Sequence, residues 1–215
     1  MTPDTPKVTQ AHRVDHRWVL HPEELMEAVD LLKGGGLVVY PTETLYGLGA
    51  DPYDSAAVER LYRVKGRPRT EPMALVVGDM EEARRLAHLL EPGRRLWEAF
   101  LPGPLTLLLP AKPEAPPPPV TREGIVGLRC PRRAIPRALA SEFGPITTTS
   151  ANRHGASAPV RVEEAVAQLG AGVDLYIDAG PSAYGLPSTI VDLSQDPPTI
   201  KREGALTREE LNLHG

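Results

Sequence analysis

Leu37-Val38-Val39-Tyr40 is an unbroken apolar run of strand length, closed by Pro41. A strand that is apolar on both alternating faces has to be covered on both, which places it inside an α/β sheet. Ala74 to Val77, Leu105 to Leu109, Ile125 to Arg129 and Ile146 to Thr149 read as further strands, interspersed with helical patterns. The first helix runs from Pro22 to Lys33, with Leu25, Val29 and Leu32 on one stripe and Gly34-Gly35-Gly36 as its stop. Others are predicted from an Asp54 or Ser55 cap to Lys65, from an Asp79/Glu82 capping box to Leu90, over Ile135 to Phe143 and over Val162 to Leu169. Strands near Leu175 to Asp178, Thr189 to Leu193 and Thr199 to Arg202 follow, then a short helix capped by Thr207. This irregular alternation predicts a single-domain α/β fold, a twisted open mixed sheet with helices packed on it. Residues 1–16 read as a flexible N-terminal tail and 17–215 as the domain.

The chain of 215 residues is long enough to bury a proper core, and its 41% hydrophobic and 24% charged content is that of a globular protein. A net charge of -4 argues against a surface given over to nucleic acid, while leaving room for a local basic patch. The single cysteine, Cys130, excludes an internal disulfide framework and reads as a buried, inert thiol. No run approaches the roughly 20 apolar residues of a membrane span, and no charged-then-apolar leader is seen. A cytoplasmic protein with no membrane partner is expected.

After Tyr40 the sequence changes character. Thr42-Glu43-Thr44-Leu45-Tyr46-Gly47-Leu48-Gly49 brings hydroxyls and two glycines that permit close backbone approach to a ligand. Lys65 and Arg67 leave a helix end that Pro68 stops, well placed to hold polyphosphate; equally, with Arg60, Arg63 and Arg69 nearby, they read as a solvated charge run. Thr147 to Asn152 follow a strand end, where α/β sheets bind ligands, though turn chemistry accounts for the same residues. Arg129 and Arg202 each end a strand. Glu43 reads as a general base or as a carboxylate that structures its turn, and Asp178 and Asp192 as Mg²⁺ ligands or strand-end caps. His12, His16 and His21 are scattered and His88 falls in a predicted helix, so no metal site of the protein's own is expected. Neither a Walker A loop nor Gly-x-Gly-x-x-Gly occurs, so a nucleotide would need another device.

Tyr-Pro-Thr-Glu-Thr-x-Tyr-Gly-Leu-Gly (40 to 49), Lys-x-Arg-Pro (65 to 68), Pro-Gly-Pro-Leu-Thr (102 to 106), Gly-x-Arg-x-Pro (127 to 131), Thr-Ser-Ala-Asn (149 to 152), Ser-Thr-Ile-Val-Asp (188 to 192) and Ile-Lys-Arg-Glu-Gly (200 to 204) occur in that order. In this set the chain, from about Val19 to Leu213, resembles the short form of the YrdC-like family of L-threonylcarbamoyladenylate synthases. The resemblance implies the YrdC-like fold with a concave basic face. It also implies a nucleotidyltransferase that joins L-threonine, bicarbonate and ATP, with Mg²⁺ accompanying the ATP. The product would pass to a threonylcarbamoyl transferase complex acting on adenosine 37 of tRNA, and weak contact with tRNA itself stays open. Carried over by motif, Thr44, Arg129, Ser188 and the backbone near Thr148 would hold threonine. Lys65, Arg67, Ser150, Asn152, Arg202 and the main chain of Ile125 would hold the nucleotide, with Lys65 and Arg67 as the catalytic cations. Glu71, Val76 and Ala158 depart from the family pattern. An RNA-binding module of the same fold, or a paralogue with another acceptor, is the alternative.

Overall fold

The computed structural model describes residues 5–213. It opens with β1 (Val8–Gln10), β2 (His12–Val14) and β3 (Arg17–Val19), then α1 (Pro22–Lys33), β4 (Val38–Pro41), β5 (Tyr46–Gly49) and α2 (Ser55–Lys65). The middle comprises β6 (Ala74–Val76), α3 (Met80–Leu86), α4 (Gly93–Phe100), β7 (Leu105–Pro110), β8 (Ile125–Arg129), α5 (Ala134–Phe143) and β9 (Ile146–Ser150). Then come α6 (Val162–Leu169), β10 (Leu175–Asp178), β11 (Thr189–Asp192), β12 (Thr199–Arg202) and α7 (Arg208–Leu211).

Ten strands make one mixed sheet in the order β1-β10-β4-β5-β9-β6-β8-β7-β11-β12. The unbroken apolar character of β4 is used as its period demands. Leu37 and Val39 join a large core with Leu61, Leu75, Leu107 and Trp97, while Val38 and Tyr40 join a second core with Val29, Leu139 and Ile177. Helices α1 and α5, which also contact each other, pack on the second face over β4 and β6 and share its core with Ile177 of β10 and Ile146 of β9. Beyond them that face is left to the cleft described below.

The expected tail is folded over residues 8–16. β1 lies parallel to β10, with Val8 beside Tyr176, and β2 pairs with β3 as an antiparallel hairpin. Main-chain bonding recruits these strands, the Ala11 N–H donating to the Asp178 carbonyl at 2.8 Å, so no apolar side-chain pattern announces them. Residues 1–4 of that expected tail lie outside the described residues. α3 stops at Leu86, short of Leu90, because Ala87 turns extended to bridge Ala111. His88 therefore sits in a loop, its N–H donating to the Pro110 carbonyl at 2.9 Å.

Candidate active site

Strand register builds the site. Thr106 pairs with Ile190, and Ile190 with Arg202; one residue beyond the Leu107–Leu128 pair stands Arg129. Toward the other side Ala74 pairs with Thr148, and Gly47 with Ser150. These residues share the face that α1 and α5 leave uncovered and line a cleft of about 400 Å³. These strand ends do not share one edge of the sheet. β6 runs parallel to β8 but antiparallel to β9, so Arg129 and Ser150 close opposite ends of the sheet and meet only across its face.

At one wall the Thr42-Glu43-Thr44 turn folds onto Arg129. Arg129 Nη2 donates to Glu43 Oε1 and to Thr44 Oγ1, each at 2.7 Å, in a pair whose side chains are 8% and 5% exposed. Glu43 Oε2 accepts from the Arg132 and Arg133 backbone N–H groups at 2.8 and 3.4 Å. Glu43 thus structures its turn, with both carboxylate oxygens already accepting hydrogen bonds. Arg129 is not. Its Nε is buried without a partner, and its Nη1 makes no hydrogen bond among the described residues. Thr42 Oγ1 donates to the Leu45 carbonyl at 2.6 Å and tightens the turn.

Lys65 lies behind the opposite wall. Its Nζ donates to the Ser150 carbonyl, to the Asn152 carbonyl at 2.7 Å and to Asn152 Oδ1 at 3.1 Å. Burial, aided by the Arg67 cation and opposed by Glu71, brings its pKa down to about 7. The Asn152 amide nitrogen donates to the Arg153 and Ala156 carbonyls at 2.8 Å each, so this side chain shapes its turn. Arg67 reaches the cleft while donating to the Pro72 carbonyl at 3.0 Å, and its Nη1 lies 3.3 Å from Glu71 Oε2. Glu71 therefore partners Arg67 and does not stand against a ligand alone. Val76 is fully buried in the apolar core, so that departure does not reach the site, whereas Ala158 does line the cleft.

Arg202 donates from Nη2 to the Ser188 carbonyl at 2.9 Å, and Ser188 Oγ lies 2.9 Å from Thr106 Oγ1. Arg67, Arg129 and Arg202 line the same cleft, and burial together with the other two cations holds the Arg202 pKa below its ordinary value. Ile125, whose main chain was expected near the nucleotide, stands apart from the cleft. Its backbone N–H and carbonyl both bond to Arg122, at 2.8 and 3.0 Å. Asp178 accepts from Tyr46 Oη at 3.1 Å and Asp192 from Ser194 Oγ at 2.6 Å, which makes both of them strand-end caps. Cys130 is buried, and desolvation pushes its thiol up to about 11.

Thr106, Tyr46 and Ile190 also line the cleft; each falls within a sequence motif but received no role from the sequence. Thr106 and Ile190 sit inside apolar strands, and only register distinguishes them from core positions. Gly47 lines the cleft, and both glycines also leave room for packed side chains. A Cβ on Gly47 would fall 2.7 Å from the Tyr40 ring, and one on Gly49 2.6 Å from Ile146 Cγ2.

An open mixed sheet with hydroxyls and three arginines lining one face defines an α/β protein with an anion-complementary cleft. The profile of the Sua5/YciO/YrdC family, described as telomere recombination, matches residues 30–204. The chain belongs to this family. It is 42% identical over 184 residues to a Mycobacterium leprae relative, covering 85% of this chain and 84% of the relative. It is 35% identical to the threonylcarbamoyl-AMP synthase of Bacillus subtilis, over 87% of this chain and 55% of that protein. The crystal structure of Pyrococcus abyssi Sua5 complexed with L-threonine superposes with a TM-score of 0.88 at 32% identity, over 95% of this chain and 59% of that one.

Proposed function

We propose that this protein synthesises L-threonylcarbamoyl-AMP from L-threonine, bicarbonate and ATP, releasing pyrophosphate. The product supplies the threonylcarbamoyl group of adenosine 37 in tRNA through a separate transferase. The observation that carries the reading is the half-satisfied Arg129, a buried guanidinium beside the Thr44 and Thr42 hydroxyls. A site that holds a cation with donors to spare in a pocket of hydroxyls is complementary to an α-carboxylate flanked by a small polar side chain. The L-threonine bound to the P. abyssi relative supports the same substrate here.

Two bond-forming steps follow from the substrates. The threonine amine adds to bicarbonate with loss of water to give a carbamate. A carbamate oxygen then attacks the α-phosphorus of ATP, and the bond to pyrophosphate breaks. Negative charge grows on the phosphate oxygens and the leaving group, where Arg67 and Arg202 offer planar donors at the cleft wall. Lys65 acts through the Ser150–Asn152 turn, whose carbonyl groups it gathers. No side-chain nucleophile is needed, and catalysis is positioning plus electrostatics. No Asp or Glu lines the cleft, so the described residues do not make a Mg²⁺ site there, and Mg²⁺ enters as part of the MgATP substrate.

The test is pyrophosphate release from MgATP and bicarbonate with and without L-threonine, with mass analysis of the nucleotide product. Threonine-dependent release with the threonylcarbamoyl-AMP mass is expected. Release indifferent to threonine, or none while both substrates bind, removes the proposal.

A further inference from the structure

His12, His21 and Glu24 come from three separate places, the first residue of β2, the residue before α1 and the first turn of α1. Pairing of β2 with β3 sets His12 opposite Val19, two residues before His21, and so folds the start of the hairpin back over the helix start. A donor atom from each of the three lies within 4.8 Å of those of the other two. The His12 and His21 rings stack with centroids 3.8 Å apart and planes 20° from parallel. Independently of that cluster, His12 Nδ1 is buried and has no hydrogen-bond partner. A ring nitrogen withdrawn from water with nothing to meet it calls for an occupant. None of the three residues touches the cleft.

We propose that His12, His21 and Glu24 bind a divalent transition-metal cation of the zinc class and so staple the N-terminal hairpin to α1. Two imidazoles and one carboxylate are a donor set that zinc accepts, with water in the fourth position. The nitrogen donors disfavour Mg²⁺ and Ca²⁺, and the absence of thiolate disfavours Cu(I). Glu24 Oε2 accepts from the His21 backbone N–H at 2.8 Å, which fixes the carboxylate beside the rings and leaves Oε1 to the metal. Stacked rings send their lone pairs along nearly parallel planes. Coordination therefore asks the exposed His21 ring to swing about its Cα–Cβ bond while the half-buried His12 ring stays. The cation then ties α1 through Ala11 to the β1 edge of the sheet, a structural role outside the reaction.

The experiment uses untagged, chelator-treated protein without ATP, titrated with Co²⁺ and, in parallel, with Zn²⁺. One equivalent of Co²⁺ giving tetrahedral visible bands, and a melting temperature raised by Zn²⁺, are expected. His21→Ala removes an exposed side chain and should weaken binding at least about tenfold. His12→Gln should do the same, whereas His16→Ala in the hairpin turn should leave binding unchanged. Binding by His21→Ala as tight as by the unaltered chain, or no visible bands at one equivalent, overturns the proposal.

Discussion

Glu43 and Arg129 hold each other inside the cleft wall, their side chains 5% and 8% exposed. Removing one partner of a buried pair strands the other, at a cost of about 3–5 kcal/mol, more than the net worth of the pair itself. Glu43→Ala and Arg129→Ala are each expected to lose stability of that order in urea unfolding, with the double variant losing less than the sum. Additive losses would show that the two do not act as a unit. At matched folding, Arg129→Lys should raise the KM for threonine far more than that for ATP. Lys65 gives a pH prediction. Its pKa falls from 10.5 in the unfolded chain to about 7 in the fold. Below that value the lysine is charged in both states and the fold bears the whole burial penalty. As pH rises above it, the unfolded chain keeps a proton that the fold has released, so stability increases with pH. Between about pH 7 and 9 the unaltered protein should gain more stability than Lys65→Met. Equal slopes would mean that the three oxygens around Nζ keep the proton in place.

Single strands and helices were legible wherever apolar period and caps coincided, as in β4, α1 and α2. Asp54 does cap α2, its carboxylate accepting from Ala56 and Ala57. β5 was not read as a strand because two of its four residues, Tyr-Gly-Leu-Gly, are glycines of poor strand propensity. It is a strand because Tyr40 on β4 fills the space those glycines leave. Gly49→Ala should therefore lose about 1–3 kcal/mol through overpacking against Tyr40 and Ile146. Gly34→Ala, whose new Cβ would meet nothing closer than 3.5 Å, is the control and should be neutral or stabilising. α4 escaped notice because Gly93-Arg94-Arg95 opens it with charge and Pro92 precedes it. Leu96 and Trp97 are its buried side chains, with Phe100 partly buried beside them. The site was legible as residue types but not as an arrangement. Thr106, Arg129, Ile190 and Arg202 become neighbours only through a strand order no local sequence window encodes.

Over the whole molecule, the N-terminal strand matters more than its composition suggests. It lies at one end of the sheet order, against a β10 that would otherwise present bare amides and carbonyls. Deleting residues 1–10 should lower the melting temperature and make the protein self-associate in a concentration-dependent way, as read by light scattering. Unchanged scattering with unchanged melting would show that β10 needs no cover. The other end closes on β12, four residues with Lys201 paired to Asp192 at 3.2 Å. Both rims of the sheet are thus short and polar, and they deny a template to stray chains. An open sheet of this width can sit crowded among copies of itself, or among nascent peptides, without seeding cross-β growth.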